Sequence, residues 1–277
     1  MKKYTSAPLP FQGQKRRFVH QLEELAVRLG GGGGGATFVD LFGGSGLVSH
    51  VLKYTCPHCR VVYNDYNHYG ERLANVGRTN EMLRALRPIV SGVTRTRRID
   101  EPVRSQVVAE VERWAKSGYV DWFSLSSNLL FVMNYAHSLE ELVGQTLYNR
   151  IRQDDYNVEG YLEGVEVVSM DYRQLFDQFR LASDVVFVLD PPYLSTDCGT
   201  YKSDGYWRLT DYLDVLKCLQ GTRFVYFTSS KSAIIELADW MGRNQAIGNP
   251  FDGANVHRLH VGGVALNYDD IMLVKAV

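Results

Sequence analysis

Apolar and polar positions divide the chain into stretches of two periods. Residues 185–189, Val-Val-Phe-Val-Leu, form an unbroken apolar run, the pattern of a strand buried on both faces of a sheet. Apolar runs at 37–42, 61–65, 165–170 and 223–230 predict further strands, and 256–264 with 270–277 predict a closing antiparallel pair. Between them, Phe18, Leu22, Leu25 and Leu29, and then Leu47, Val48, Val51 and Leu52, recur at helical spacing. Residues 209–219 and 234–241 also read as helices. Strands alternating with helices predict an α/β fold. From about 70 to 163 the strand signal fades. Leu73, Val76, Met82, Leu83 and Leu86 suggest helix there, as do 103–114 and 125–133. The expected organisation is an α/β domain from 1–69 and 164–277, with a mainly helical insertion at 70–163.

Composition narrows this picture. A chain of 277 residues, 45% hydrophobic and 22% charged, suits one α/β domain with an insertion. The net charge of −1 does not advertise a nucleic-acid partner, so such a partner would need a local basic patch. There is no apolar run near 18 residues and no signal peptide, and a reduced, cytoplasmic protein is expected. Four cysteines do not make a disulfide framework. Cys56-Pro57-His58-Cys59 has zinc-type spacing, but no second ligand pair follows. The expectation is therefore no metal and a loop with incidental thiols. Six glycines at 30–35 predict a mobile connector.

Candidate chemistry lies at strand ends. Asp190-Pro191-Pro192-Tyr193 follows the apolar run directly, where open α/β sheets place ligands. Two prolines stiffen the turn and remove two backbone donors, leaving a carboxylate, outward carbonyls and an aromatic face. That set suits a planar exocyclic amine. Phe42-Gly43-Gly44-Ser45-Gly46 lies between a predicted strand and helix, the layout of a nucleotide-cofactor turn. Asp65 ends the next strand about 20 residues on, the interval at which such folds hold a ribose; the plain alternative is a helix cap. Asp171 after the 165–170 strand is read equally as a cap or as a cofactor contact.

The Asp-Pro-Pro-Tyr stretch closely resembles motif IV of the amino-methyltransferases, in the form common among adenine-N6 enzymes. Asp40 with Phe42 to Gly46 resembles their motif I. Phe11, Gly13 and Lys15 resemble motif X, and Asp171-Tyr172 resembles motif III. The order X, I, insertion, IV is similar to that of the Dam-like α group, bacterial or phage-encoded. The resemblance implies a Rossmann-like methyltransferase sheet ending in an antiparallel hairpin, with an inserted target-recognition domain. It implies S-adenosylmethionine as cofactor, held by Phe11, Gly13, Lys15, Asp40, Phe42, Gly43, Gly44, Ser45, Gly46, Asp65, Tyr66, Asp171 and Tyr172. Lys15 would face the methionine carboxylate. Asp190, Pro191, Pro192 and Tyr193 would act on adenine N6 flipped from double-stranded DNA, with residues 194–201 a loop ordering over the base. The protein would be a monomer or weak dimer.

Residues 84–104 carry six arginines against Asp100 and Glu101. They are either a solvated face or a loop contacting phosphates and base edges; Arg84, Arg87, Arg95, Arg97 and Arg98, with Asn134, are the candidate DNA contacts. Other readings remain: transfer to cytosine N4, RNA or a protein glutamine, or a catalytically silent DNA-binding relative. A NAD-linked oxidoreductase shares the glycine turn but leaves Asp-Pro-Pro-Tyr unexplained.

Overall fold

The computed structural model of the chain describes residues 2–30, 35–194, 207–244, 248–263 and 266–276. Two compact units emerge: Met1–Ser6, Lys15–Asn67 and Leu162–Val277 form the first, and Ala7–Gln14 with His68–Tyr161 form the second.

The first unit is built on strands β1 (Thr37–Asp40), β2 (Arg60–Asn64), β3 (Glu166–Val168), β4 (Val185–Leu189), β5 (Phe224–Ser229), β6 (Asn255–Gly263) and β7 (Leu266–Lys275). They form one seven-stranded sheet in the order β3-β2-β1-β4-β5-β7-β6. Strands β1 to β5 are parallel, while β7 runs antiparallel to both β5 and β6. The strand order reverses between β1 and β4, which is where open α/β sheets form a crevice at their carboxyl ends.

Helices α1 (Val19–Gly30) and α2 (Leu47–Thr55) cover one face, burying Phe38, Val186, Val188, Val225, Phe227 and Met272 with Leu22, Leu25, Val51 and Leu52. Successive strand residues point to opposite faces. The alternate set, Val39, Val185, Phe187, Leu189, Phe224 and Tyr226, therefore packs on the other side. There it meets α8 (Tyr172–Phe179), α9 (Leu209–Leu219) and α10 (Ile234–Gly242). Cover on both faces is why β4 is apolar at every position, each such side chain contributing about 1.5–3 kcal/mol on burial.

Strand ends move by a few residues from the apolar pattern. β1 stops at Asp40 rather than residue 42, because Leu41 N–H to Val188 O (3.0 Å) is its last ladder bond before the glycine turn. β7 begins at Leu266, earlier than its apolar core, since backbone pairing with β6 (Val261 with Tyr268) needs no apolar side chain. The glycines at 31–34, within the expected connector, and residues 195–206, which include all of the expected loop but Leu194, lie outside the described residues.

Asn64, 1% exposed, ties three strand ends together. Its Nδ2 donates to Leu41 O (3.0 Å) and Met170 O (2.9 Å), and its Oδ1 accepts from Met170 N (3.0 Å). Asn64→Ala leaves these buried groups unpaired and should lower unfolding free energy by about 2–3 kcal/mol; urea melts would show it as a shifted midpoint with an unchanged slope.

The Cys56–Cys59 turn, expected to carry incidental thiols, is closed by a disulfide. Pro57 stops α2, and the turn's Cys59 N–H to Cys56 O bond (3.0 Å) brings the two side chains together. Cys218 is a buried free thiol.

The second unit contains α3 (Tyr69–Ala74), α4 (Val76–Ile89), α5 (Val103–Lys116), α6 (Trp122–Leu129) and α7 (Leu139–Val143). Met82, Leu83, Leu86, Val107, Val111, Leu125, Leu129 and Leu142 are buried. Arg72 and Asp121 form a buried ion pair at 3.0 Å, and Asp121 also caps α6 through Ser124 N–H. The helix expected over 125–133 ends at Leu129. Arg150 N–H takes the Asn128 carbonyl (3.2 Å) and Tyr148 N–H the Leu129 carbonyl (2.7 Å), replacing the next helical turn. Phe131, Val132 and Met133 are left exposed, with Met133 at φ 71°. Among the described residues no helix is long and apolar enough to cross a membrane.

Candidate active site

The glycine turn is shaped by β2. A Cβ on Gly43 would lie 2.1 Å from the Tyr63 ring, and Gly46 sits at φ +72°, so the turn requires glycine at both places. The Tyr63 hydroxyl lies 2.8 Å from Gly44 O and 3.0 Å from Asp65 Oδ1, one hydrogen between two acceptors. The turn and Asp65, separate signals in the sequence, are thus joined through one phenol. Asp65 is buried and its backbone N–H bonds Val168 O (2.7 Å), whereas Tyr66 is exposed. Ser45 is buried in the turn, and α2 then starts from Gly46, which has no side chain to cap it. The first amides of a helix lack intrahelical partners and favour an anion.

Asp40 closes β1 and is buried at 2% exposure; the Ser49 hydroxyl donates to it (2.8 Å). Burial pushes its carboxyl up to about 7, the Ser49 bond opposes this, and Asp190 adds to it.

The centre of the arrangement is an ion pair that pattern reading missed. Lys15 Nζ lies 2.5 Å from Asp190 Oδ2, their side chains 11% and 23% exposed. The same ammonium sits 5.5 Å from the Tyr193 ring centre and 5.6 Å from that of Phe227. Burial opposes the charge on Lys15, but Asp190 and Tyr193 outweigh it and hold the amine above the usual lysine range. Burial raises the Asp190 carboxyl, Lys15 pulls it back, and Asp270 adds to the rise. Burial likewise pushes the Tyr193 phenol up to about 12. Asp270, on β7, is also raised by burial and is moderated by Lys15 and by Arg17 at 3.7 Å. Within the chain, Lys15 is thus paired with Asp190.

Asp171 caps α8, accepting from Arg173 N–H at 2.8 Å. Tyr172 is buried and packs with Phe42 (ring centres 4.8 Å apart) and Trp207 (5.9 Å, nearly parallel). Trp207, which lies between the motifs, was not singled out in the sequence, whereas Phe42 and Tyr172 were.

Phe11 and Gly13 belong to the second unit, with Phe11 edge-on to Tyr69 at 5.7 Å. The arginines expected in one loop divide. Arg84 and Arg87 lie on α4 and both pair with Asp155; Arg104 bonds Val143 O and approaches Glu101. Arg95, Arg97 and Arg98 are exposed in the loop, Arg95 reaching Ile151 O (3.3 Å) and Arg98 reaching Asp100 (2.7 Å). Asn134 follows the exposed Phe131 to Met133 segment and is itself exposed.

No protein-family model matches the chain. It is 35% identical over 243 residues to a protein of Haemophilus influenzae (strain ATCC 51907 / DSM 11121 / KW20 / Rd) described as "Putative methyltransferase", covering 87% of this chain and 81% of that one. The mixed seven-stranded sheet flanked by helices is consistent with a Rossmann-like methyltransferase fold. On this likeness, which spans most of both proteins, the chain belongs to a methyltransferase family.

Proposed function

We propose that the protein transfers a methyl group from S-adenosylmethionine to the exocyclic N6 of adenine in double-stranded DNA. The observation carrying this reading is the position of Asp190-Pro191-Pro192-Tyr193 at the carboxyl end of β4, with β1 and its glycine turn as the neighbouring strand. The cofactor supplies an electrophilic methyl when bound. The residues present fit it: a glycine turn with no room for a Cβ, a helix start for a carboxylate, and a buried Asp65 for ribose hydroxyls. Phe42, Tyr172 and Trp207 offer an aromatic wall for its adenine.

Adenine N6 is a poor nucleophile because its lone pair is delocalised into the ring. The Asp190 carboxylate and the Pro191 carbonyl accept its two N–H bonds and favour a pyramidal nitrogen. Tyr193 stacks on the base once it is flipped from the duplex. Positioning and electrostatics supply the rate enhancement. Lys15 keeps Asp190 in place in the free protein and must yield part of that contact to the amine.

The second unit would hold DNA through Arg95, Arg97, Arg98 and Asn134, with Arg84 and Arg87 committed to Asp155. Replacing Arg95, Arg97 and Arg98 together by Ala should weaken binding to all duplexes alike. It should also lower the slope of log affinity against log salt by about 0.9 per lost phosphate contact. Fluorescence anisotropy over a salt series measures both, and wild-type affinity and slope would leave these arginines as a solvated face. Asp65→Ala should weaken cofactor binding roughly 10- to 150-fold, about 1.5–3 kcal/mol, as read by calorimetry. The reaction itself is tested by incubating duplex DNA with labelled S-adenosylmethionine and digesting it to nucleosides. N6-methyldeoxyadenosine is the expected product; label in N4-methyldeoxycytidine, or none in DNA, overturns the proposal.

A further inference from the structure

The turn joining α2 to β2 carries chemistry that methyl transfer does not use. Cys56, His58 and Cys59 place their ligand atoms within 4.8 Å of one another. We infer that, once its disulfide is reduced, this turn is a binding site for a thiophilic divalent cation of the zinc class. The lack of a second Cys-x-x-Cys is no obstacle, because the third ligand comes from the same turn.

One ligand pair already stands at metal-site spacing. His58 Nε2 lies 3.5 Å from Cys56 Sγ. Two ligands of one tetrahedral zinc stand roughly 3.5 Å apart when Zn–N is about 2.0 Å and Zn–S about 2.3 Å. The turn is fixed from two sides. Lys53 Nζ donates to Pro57 O (2.8 Å) and Cys59 O (2.9 Å). His58 Nε2 lies 2.9 Å from Gly30 O, a bond it gives up to ligate the metal. A Cβ on Gly30 would stand only 2.5 Å from Cys56 Sγ, so the end of α1 is packed against the sulfur. Both cysteines are buried while His58 is exposed. The metal would sit with its sulfur side in protein and its fourth position toward solvent. Two thiolates and an imidazole select zinc over magnesium or calcium, which take oxygen ligands.

The chemistry balances. Two molecules of a thiol reductant supply two electrons and two protons; the Cys56–Cys59 bond becomes two thiols and the reductant becomes a disulfide. Zinc then binds the thiolates and the two thiol protons pass to solvent. The site lies at the start of β2, and Asp65 follows that strand's far end, roughly 17 Å away at 3.3 Å per residue. The bound metal would clamp the end of α2 to the start of β2, and this inference stands whether or not DNA is the methyl acceptor.

The test is a zinc titration of the full chain against a metallochromic chelator, with protein reduced by a thiol and then freed of it under argon. The same chain left oxidised is the control, since it differs by two hydrogens and by no side chain. Reduced wild-type protein is expected to take up one zinc per chain, and oxidised protein none. Cobalt in place of zinc should give sulfur-to-cobalt charge-transfer absorption. His58→Ala should weaken binding at least about tenfold, and Cys56→Ser or Cys59→Ser at least about a hundredfold, a loss of roughly 2.7 kcal/mol. Cys218→Ser should change nothing. Absence of stoichiometric zinc in the reduced protein, or equal uptake by the oxidised one, overturns the inference.

Discussion

Asp190→Ala should abolish methyl transfer, lowering kcat by roughly 10²–10³-fold or more, the scale seen when one preorganised hydrogen-bonding group is removed from a reacting centre. The carboxylate is proposed to accept from the target amine, so its loss acts on the chemical step and leaves cofactor affinity close to wild type. The structure adds a complication that the motif alone does not carry. Removing Asp190 also strips Lys15 of the carboxylate 2.5 Å from its ammonium, leaving Tyr193 as its near partner. Part of any lost activity could then come from a disturbed site. Asp190→Asn separates the two effects, because the amide keeps the shape and still offers one acceptor to the amine and to Lys15. A trace of activity in Asn, none in Ala, and unchanged calorimetric binding of S-adenosylmethionine in both is the expected set. Full single-turnover activity in Asp190→Ala would sink the mechanism.

Lys15→Met should move the pH dependence of the reaction. Burial and Asp270 hold the Asp190 carboxyl above its ordinary value, and Lys15 opposes them. With the ammonium gone the carboxyl rises further. In the proposed mechanism the accepting species is the ionised carboxylate, so a higher pKa leaves less of it at pH 7 and shifts the acid limb of the rate profile upward. Activity should fall near neutrality and recover in part at higher pH. Stability follows the same sign. A carboxyl whose folded pKa is raised favours the folded state at low pH and loses that contribution as pH climbs through the folded value. The variant should therefore be least destabilised in acid and most destabilised in alkali. Leaving one partner of a buried pair costs about 3–5 kcal/mol; with Asp190 23% exposed, about 2–3 kcal/mol is expected at pH 8. If Lys15 acted only on the cofactor, its loss would raise KM for S-adenosylmethionine and leave the pH profile where it was.

These two predictions concern a contact that no local pattern contains. Lys15 and Asp190 are far apart in sequence and meet only because the segment before α1 and the end of β4 reach the same place. What was legible was local. A strand covered on both faces must be apolar at every position, so β4 could be read at once, and the motif after it is contiguous. The glycine turn was legible for the same reason. Tyr63 and Asn64 were not, although they sit just before Asp65, because an apolar run ending in polar residues does not say which backbone groups those residues will satisfy. The helix over 125–133 was drawn too long because its last carbonyls are taken by residues 148 and 150. The arginine cluster looked uniform in sequence, yet Asp155, some 70 positions from Arg84, pairs with two of its members. The disulfide was set aside because four cysteines do not make a framework, while the turn that closes it depends only on local spacing.

The Tyr63 ring has a consequence for anyone who would redesign this protein. It fills the space beside Gly43, and its hydroxyl reaches both Gly44 and Asp65. Positions 43, 63 and 65 thus form a single mechanical unit spread over the glycine turn and the end of β2. A larger residue at 43 displaces the ring, and a displaced ring gives up its bond to the carboxylate. Libraries that vary one of the three at a time will sample almost only broken combinations. Productive variants should keep glycine at 43, where the Asn64 carbonyl 2.9 Å away also excludes a Cβ, and should change 63 and 65 together.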